Sequence, residues 1–141
     1  QNIPLGLLSI GTYLLKKTPY EVVLIDELPN ASFLEKIKGE LDKGDTIFIG
    51  LSVMSAAVKG ALEITRMVKK DYPDVRVVWG GAHAKLYIKD TAKHPLIDCT
   101  AHDEGEIVSK NLADAWVNGL SMVMVVFDCK LQVVHAIQLL L

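Results

Sequence analysis

Small and polar residues follow two of the most apolar runs in this chain. Ser52 and Ser55 follow one such run, and Gly80 and Gly81, with His83 close behind, follow another. Hydroxyl groups donate and accept hydrogen bonds, and glycines let the backbone approach a bulky ligand. This combination favours the binding of a large organic molecule. On the glycines alone, a tight strand-to-helix turn is an equally good interpretation.

Motifs for phosphate binding and for hydrolysis are missing from the sequence. It has no Gly-x-Gly-x-x-Gly after a first strand and no Gly-Lys-Ser/Thr of a P-loop. The segment 50–54 lacks the second glycine of the Gly-x-Ser-x-Gly turn of serine hydrolases. Ser52 also stands where a receiver domain would carry its phosphoacceptor aspartate. The missing motifs therefore disfavour a Rossmann-like enzyme that uses a dinucleotide or a nucleoside triphosphate.

Metal-binding patterns are equally weak. His83, His94 and His102 are separated by 11 and 8 residues, which matches no ligand pair on one helix or hairpin. Cys99 and Cys129 are the two cysteines of the chain, too few for an iron–sulfur cluster or a four-thiolate zinc site. We therefore predict no protein-ligated metal and no iron–sulfur cluster in this chain.

The composition is that of one soluble globular domain. Of the 141 residues, 50% are hydrophobic and 23% are charged, and the net charge is -2. No basic surplus indicates nucleic acid, and no apolar run reaches the roughly 18 residues that span a bilayer. The first residues do not form a signal peptide. We expect a cytoplasmic protein with free thiols that binds neither nucleic acid nor membrane.

Short β-branched runs alternate with longer amphipathic segments. Strands are predicted near residues 21–25, 46–51, 75–79 and 96–99. Helices are predicted near residues 4–17, 32–41, 56–70, 86–93 and 104–117, the second opening on a Ser32–Glu35 capping box. Continuous apolar strands with helical crossovers are typical of a parallel sheet covered on both faces. The sequence predicts an α/β fold with a doubly wound, Rossmann-like (flavodoxin-like), mainly parallel sheet in three layers, which binds ligands beyond the carboxyl ends of its strands.

A series of segments, in order, resembles the cobalamin-binding domain found ahead of radical SAM enzymes. Residues 4–11 resemble its helix opening, and residues 21–27 resemble its second strand. Residues 50–55 are similar to its Gly-x-Ser-x-Met-Ser/Thr turn, and residues 74–84 to its Pro-Asp-x-x-Val-Val-x-Gly-Gly-Pro-His-Ala signature. Residues 104–106 resemble the end of its Gly-Glu-Gly-Glu motif. The resemblance covers roughly residues 3–117 and implies a cobalamin cofactor held over the strand ends.

The resemblance also implies which residues bind that cofactor. They are Ser52, Val53, Met54, Ser55, Gly80, Gly81, His83, Glu104 and Gly105. The serines and Met54 would line the nucleotide tail and its ribose–phosphate, the glycines would let the tail approach the backbone, and the last two residues would shape the far rim. His83 is expected to have a structural role beside the cofactor, since the Asp-x-His-x-x-Gly motif of proteins that ligate cobalt through histidine is absent.

Four departures separate the chain from the family pattern. Ala82 replaces a proline, and Asp103 replaces the first glycine of Gly-Glu-Gly-Glu. The family's first strand, central in its sheet, would precede Gln1, and residues from about 120 onward match nothing in the family. Residues 121–127 are β-prone and apolar, and we hypothesise that they fill that central position, followed by an apolar helix over 131–141. The predicted division is a cobalamin-binding-like domain, residues 1–119, with an out-of-family tail, residues 120–141, packed on it.

The expected function is that of a cobalamin-binding module of a radical SAM type enzyme, such as a methyltransferase. The chain lacks the Cys-x-x-x-Cys-x-x-Cys motif of the radical SAM half, so we expect it to bind and present the corrinoid without independent catalysis. Expected partners are the corrinoid and either a radical SAM domain or a second copy bound through the apolar tail. The alternative is a degenerate Rossmann-like interaction or oligomerisation domain that no longer binds cofactor, with Ala82 and Asp103 as traces of the loss.

Overall fold

Helices and strands alternate along the protein, as seen in a computed structural model that describes residues 5–25, 31–101, 104–117 and 123–127. The helices are α1 (Leu5–Lys17), α2 (Ala31–Leu41), α3 (Val58–Asp71), α4 (Gly81–Leu86), α5 (Ile88–Ala92) and α6 (Gly105–Trp116). The strands are β1 (Glu21–Ile25), β2 (Thr46–Ser52), β3 (Arg76–Gly80), β4 (Cys99–Thr100) and β5 (Val123–Phe127). Within these ranges, no helix is long and apolar enough to cross a membrane.

The five strands of the described residues form one sheet in the order β1-β5-β2-β3-β4. Every neighbouring pair is parallel. This is the flavodoxin-like order 2-1-3-4-5 with β5 in the place of the first strand. The predicted doubly wound α/β fold is confirmed.

The position of β5 is set by its pairing on both sides. Val125 lies opposite Val23 of β1 and opposite Ile49 of β2. Residues 123–127 therefore hold the central position that we hypothesised for the tail, and they pair with the sides of β1 and β2 that face this position. The helix expected over 131–141 lies outside the described residues, and the division at residue 119 stays a prediction.

Helices cover both faces of the sheet and complete three layers. One face packs against α2 and α3, and its core contains Phe33, Ile37, Ile64, Ile49, Leu51 and Trp79. The other face packs against α1 and α6, and its core contains Leu7, Ile10, Leu14, Leu112, Phe48 and Val78. The helical residues recur every three or four positions, so each helix buries one stripe. The two cores anchor both faces of the sheet.

Two helical boundaries differ from the prediction. The helix expected over 86–93 is the shorter α5, and a further helix that was not predicted, α4, precedes it; Tyr87, which separates the two, has a φ of -120° and a ψ of 46° that are not helical. The helix α2 begins at Ala31, so Ser32 lies inside its first turn and not at the predicted N-cap.

The strand expected over 96–99 also begins later, at Cys99. At Asp98 the backbone N–H donates to the carbonyl of Val77 (2.9 Å), and the Asp98 carboxylate accepts from the Val77 N–H (2.7 Å). The Asp98 carboxylate thus takes the place of a backbone carbonyl as acceptor for the Val77 N–H, and regular strand pairing begins at Cys99.

Candidate functional site

The carboxyl ends of β2 and β3 lie side by side. Ser52 is the register partner of Gly80. Beyond the strands, the Val53 N–H donates to the Gly80 carbonyl (2.8 Å), and the His83 N–H donates to the Val53 carbonyl (2.9 Å). The structure therefore brings together the two turns that the sequence singles out, residues 52–55 and residues 80–83, which we call the rim.

The glycine pair makes a sharp entry into α4. Gly81 has a φ of 87°, in the left-handed region that costs other residues roughly 1–2 kcal/mol. Gly80 is the extended residue before it, with φ -128° and ψ -167°, and both glycines are buried. The tight-turn interpretation is therefore correct for Gly81. The absence of a side chain at both positions also leaves backbone where a ligand could approach.

The β2 side of the rim runs from the protein interior to solvent. Ser52 is 3% exposed and Val53 is 1% exposed, whereas Met54 is 40% exposed. Ser55 is exposed and opens a 3-10 turn, Ser55–Ala57, that precedes α3. A ligand that entered along this path would meet the exposed Ser55 first and the buried Ser52 last.

His83 is held by contacts with both turns. Its Nδ1 lies 3.2 Å from the Ser55 Oγ, within hydrogen-bond distance. Its ring packs against that of Tyr87 with centroids 4.8 Å apart and 34° between the planes, and against the edge of Trp79 at 6.5 Å. These contacts are those of a residue that fixes its neighbours in place.

No side chain of the rim is an aspartate, glutamate, lysine or arginine. Within the described ranges, no three His, Cys, Asp or Glu side chains form a group that could hold a metal ion. His94 is elsewhere, accepting at Nδ1 from the Leu96 N–H (3.3 Å), and His102 lies outside those ranges. The rim can thus offer hydroxyl groups, backbone groups and apolar surface.

A buried hydrogen-bond chain fixes the end of β3 from behind. The Trp79 Nε1–H donates to the Thr65 Oγ1 (3.0 Å), and the Thr65 hydroxyl donates to the Ala61 carbonyl (2.7 Å) within α3. Trp79 and Thr65 are 2% and 0% exposed. The sequence analysis did not identify Thr65, which bonds Trp79, or Tyr87, which packs on His83. The four-residue spacing of Trp79, His83 and Tyr87 was the one signal for the contacts among these three rings.

The remaining candidates lie one strand further along the same edge. Thr100 of β4 pairs with Trp79, and the Ala101 N–H donates to the Trp79 carbonyl (2.7 Å). The helix α6 then begins at Gly105, which is buried, after the exposed Glu104. Glu104 and Gly105 therefore share the edge with the rim and sit beyond β4. Asp103, and Asp26 and Glu27 after β1, lie outside the described residues.

A cavity of about 800 Å³ lies at the opposite edge of the sheet. It is lined by residues that begin β2 and β3, Thr46 and Arg76, and by Tyr72 and Trp116. The Arg76 guanidinium lies over the Trp116 ring, 5.9 Å from its centroid. Because ligands of doubly wound sheets bind at the carboxyl ends of the strands, the rim remains the better candidate.

Comparison with known proteins agrees with this geometry. A family model described as "B12 binding domain" matches residues 1–113. An uncharacterized methyltransferase of Pyrococcus horikoshii is 28% identical over 117 residues, which are 82% of this chain and 25% of that protein. The chain thus spans about a quarter of the length of this curated relative. No solved structure matches the chain.

Proposed function

The chain belongs to the B12 binding domain family, and on this premise we propose that it is the cobalamin-binding module of a radical SAM type enzyme. It binds and presents the corrinoid, while the radical chemistry belongs to another domain. The observation that carries the proposal is the meeting of the Ser52–Ser55 turn with the Gly80–Gly81 turn at adjacent strand ends. Both turns lie within the residues matched by the family model.

The rim suits the nucleotide tail of cobalamin in chemistry. The tail carries a ribose, a phosphate and a base, so it needs hydrogen-bonding partners and room. Hydroxyls of Ser52 and Ser55 are placed at the inner and outer ends of the β2 side. Buried Gly80 and Gly81 present backbone without side chains on the β3 side. When bound, the cobalamin supplies a cobalt centre that can carry a methyl group.

In this proposal the chain's own residues bind and orient the corrinoid. Ser52, Val53, Met54 and Ser55 line the tail, Gly80 and Gly81 allow it to approach, and Glu104 and Gly105 bound the corrinoid on the far side of β4. His83 is a structural neighbour of the cofactor and not a cobalt ligand. This role is supported by the absence of the Asp-x-His-x-x-Gly motif of proteins that ligate cobalt through histidine.

The proposed setting is a larger cytoplasmic enzyme that transfers methyl groups or performs a related reaction. Its support is the relative named as a methyltransferase, about four times as long as the matched region. The similarity of residues 50–55 and 74–84 to the radical SAM group supports the finer assignment. The proposed partner is a radical SAM domain that supplies the iron–sulfur cluster this chain does not encode.

The proposal is tested by adding hydroxocobalamin, desalting, and recording the visible spectrum. We expect the wild-type protein to retain the chromophore and Gly81→Leu to lose it, because leucine at a φ of 87° both strains the turn and fills the approach. Gly39→Leu is the matched control, since Gly39 lies in α2 with open space around its Cβ position. Far-UV circular dichroism checks that each protein is folded.

A folded wild-type protein that stays colourless would contradict the proposal. The alternative of a cofactor-free interaction domain would then gain weight. It is favoured by leucines on one side of α1, where Leu5, Leu8 and Leu15 are 72%, 42% and 61% exposed. Such a domain would self-associate, which sedimentation velocity detects.

A further inference from the structure

His83 joins the two turns of the rim through its backbone and its ring. Its N–H donates to the Val53 carbonyl (2.9 Å), and its Nδ1 lies 3.2 Å from the Ser55 Oγ. The same residue thus contacts the β2 turn on both sides of Met54. A side chain attached in this way can determine where the Ser55 hydroxyl points.

The imidazole ring is itself restrained by aromatic neighbours. Tyr87 packs against it with centroids 4.8 Å apart, and the edge of Trp79 lies on it at 6.5 Å. Trp79 is anchored in turn by its hydrogen bond to Thr65. Tyr87 is 49% exposed and stands at the break between α4 and α5, so its position on the ring is specific and not a consequence of deep burial.

The contact with Nδ1 changes what the Ser55 hydroxyl can offer. A hydroxyl has one hydrogen to donate and two lone pairs. If Nδ1 accepts that hydrogen, the lone pairs of Ser55 are presented to a donor; if Nδ1–H donates, the hydrogen of Ser55 is presented to an acceptor. In both tautomers the contact restrains the position of the Ser55 oxygen, and the tautomer decides whether a lone pair or the hydroxyl hydrogen is left for a ligand. A ribose hydroxyl can donate to such a lone pair, and a phosphate oxygen can accept from such a hydrogen.

We propose that His83 is a positioning residue that orients the Ser55 hydroxyl toward the nucleotide tail, so that the module selects complete corrinoids over those that lack the tail. The inference rests on the proposed function and deepens it. The ligand class is a corrinoid with its ribose–phosphate–base loop. Tyr87 is the residue that keeps the imidazole in place.

Two substitutions separate the ring's hydrogen bond from its packing. His83→Phe keeps a ring against Tyr87 but removes Nδ1. His83→Asn removes the ring but places an amide near the Nδ1 position, where it can still bond Ser55. Affinities are measured by spectroscopic titration with hydroxocobalamin and with cobinamide, the corrinoid that lacks the nucleotide loop. All 141 residues of the chain are used throughout.

We expect His83→Phe to weaken hydroxocobalamin binding about tenfold, the effect of one lost hydrogen bond, and to leave cobinamide binding unchanged. His83→Asn should retain most of the wild-type affinity. In the background of Ser55→Ala, His83→Phe should cause no further loss, because residues that act through one another are not additive. If His83 served folding alone, His83→Phe would weaken the binding of hydroxocobalamin and of cobinamide by the same factor.

Equal weakening of both ligands, or full additivity with Ser55→Ala, would overturn the inference while leaving the proposed function intact. Unchanged hydroxocobalamin binding by folded His83→Phe would do the same. Failure of the folded wild-type protein to bind hydroxocobalamin would overturn the proposed function, and the inference with it. If cobinamide binds too weakly to titrate even to the wild type, the comparison with Ser55→Ala decides.

Discussion

The fold determines the reactivity of the Cys99 thiol, which the sequence alone does not. It lies in β4 opposite Val78, and it is a free thiol. Burial, followed by the nearby Asp98 carboxylate, raises the pKa of Cys99 to about 11. Because the thiolate is the nucleophile, Cys99 is inert at neutral pH. Cys99 is therefore not a candidate nucleophile, which agrees with a binding role for the chain.

The raised pKa predicts a dependence of stability on pH. An unfolded cysteine has a pKa of about 8.5, below the folded value, so the folded state holds the thiol proton more tightly. The contribution of Cys99 to the free energy of unfolding is complete below about pH 8 and is lost as the pH rises toward 11. Urea unfolding of wild type and Cys99→Ala, compared at about pH 7.5 and about pH 10.5, should show a difference that narrows at high pH. A pH-independent difference would refute this.

The proximity of the two candidate turns was predictable from the sequence, whereas their part in cofactor binding stays a prediction. Ser52, Gly80 and His83 come together as expected, because parallel strands end at one edge and each turn follows its strand directly. The contact between Ser55 and His83 could not be predicted, since it depends on a side-chain rotamer and a 3-10 turn. The direct role of Asp98 in the sheet was hidden for the same reason.

At the scale of elements, the end of β3 is tied to α3 by one buried polar chain. Trp79 donates to Thr65, which donates to the Ala61 carbonyl. This link fixes the strand end that carries Gly80 and Gly81. Leaving a buried indole N–H without a partner destabilises the fold by more than the hydrogen bond stabilises it. Removing the Thr65 hydroxyl should therefore destabilise the protein by more than the value of one hydrogen bond.

We predict that Thr65→Val lowers the free energy of unfolding by about 1–3 kcal/mol, because it leaves the Trp79 N–H buried and unpaired. The measurement is urea unfolding followed by circular dichroism. The control is the same substitution in a Trp79→Phe background, where no N–H remains to be stranded and the loss should be smaller. An equal loss in both backgrounds would mean that the hydrogen bond is not the cause.

Element boundaries were predicted less well than element types. Every predicted strand exists, because runs of β-branched residues bounded by turn residues indicate strands. The prediction placed Tyr87 inside a helix because the pattern of residues 86–93 is amphipathic, and it did not extend helix to residues 81–85. The Tyr87 ring packs on that of His83, four residues earlier, and this contact depends on side-chain geometry that the helical period does not specify.

At the scale of the whole molecule, the C-terminal strand completes the sheet. Residues 123–127 pair with β1 on one side and with β2 on the other, so they connect the two halves of the fold. Apolar β-prone composition was enough to suggest a strand there, and the empty central position suggested where it would go. The carboxyl edge that carries the rim is continuous because of this insertion.

We predict that Val125→Pro abolishes cooperative folding or costs about 3 kcal/mol or more, because a central strand uses its backbone groups toward both neighbours. Glu21→Pro is the control. It places proline at the first residue of the edge strand β1, where proline is tolerated, and should cost much less. Thermal unfolding compares the two variants. Similar losses would show that β5 is not a central strand.

Calorimetric titration of the wild-type chain with hydroxocobalamin is the decisive test of whether the rim holds one cobalamin. We expect saturable binding of a single corrinoid per chain, with the visible spectrum of the bound cofactor shifted from that of the free one. Absence of binding heat and of any spectral change, in a protein whose circular dichroism shows it to be folded, would mean that the rim does not bind cobalamin.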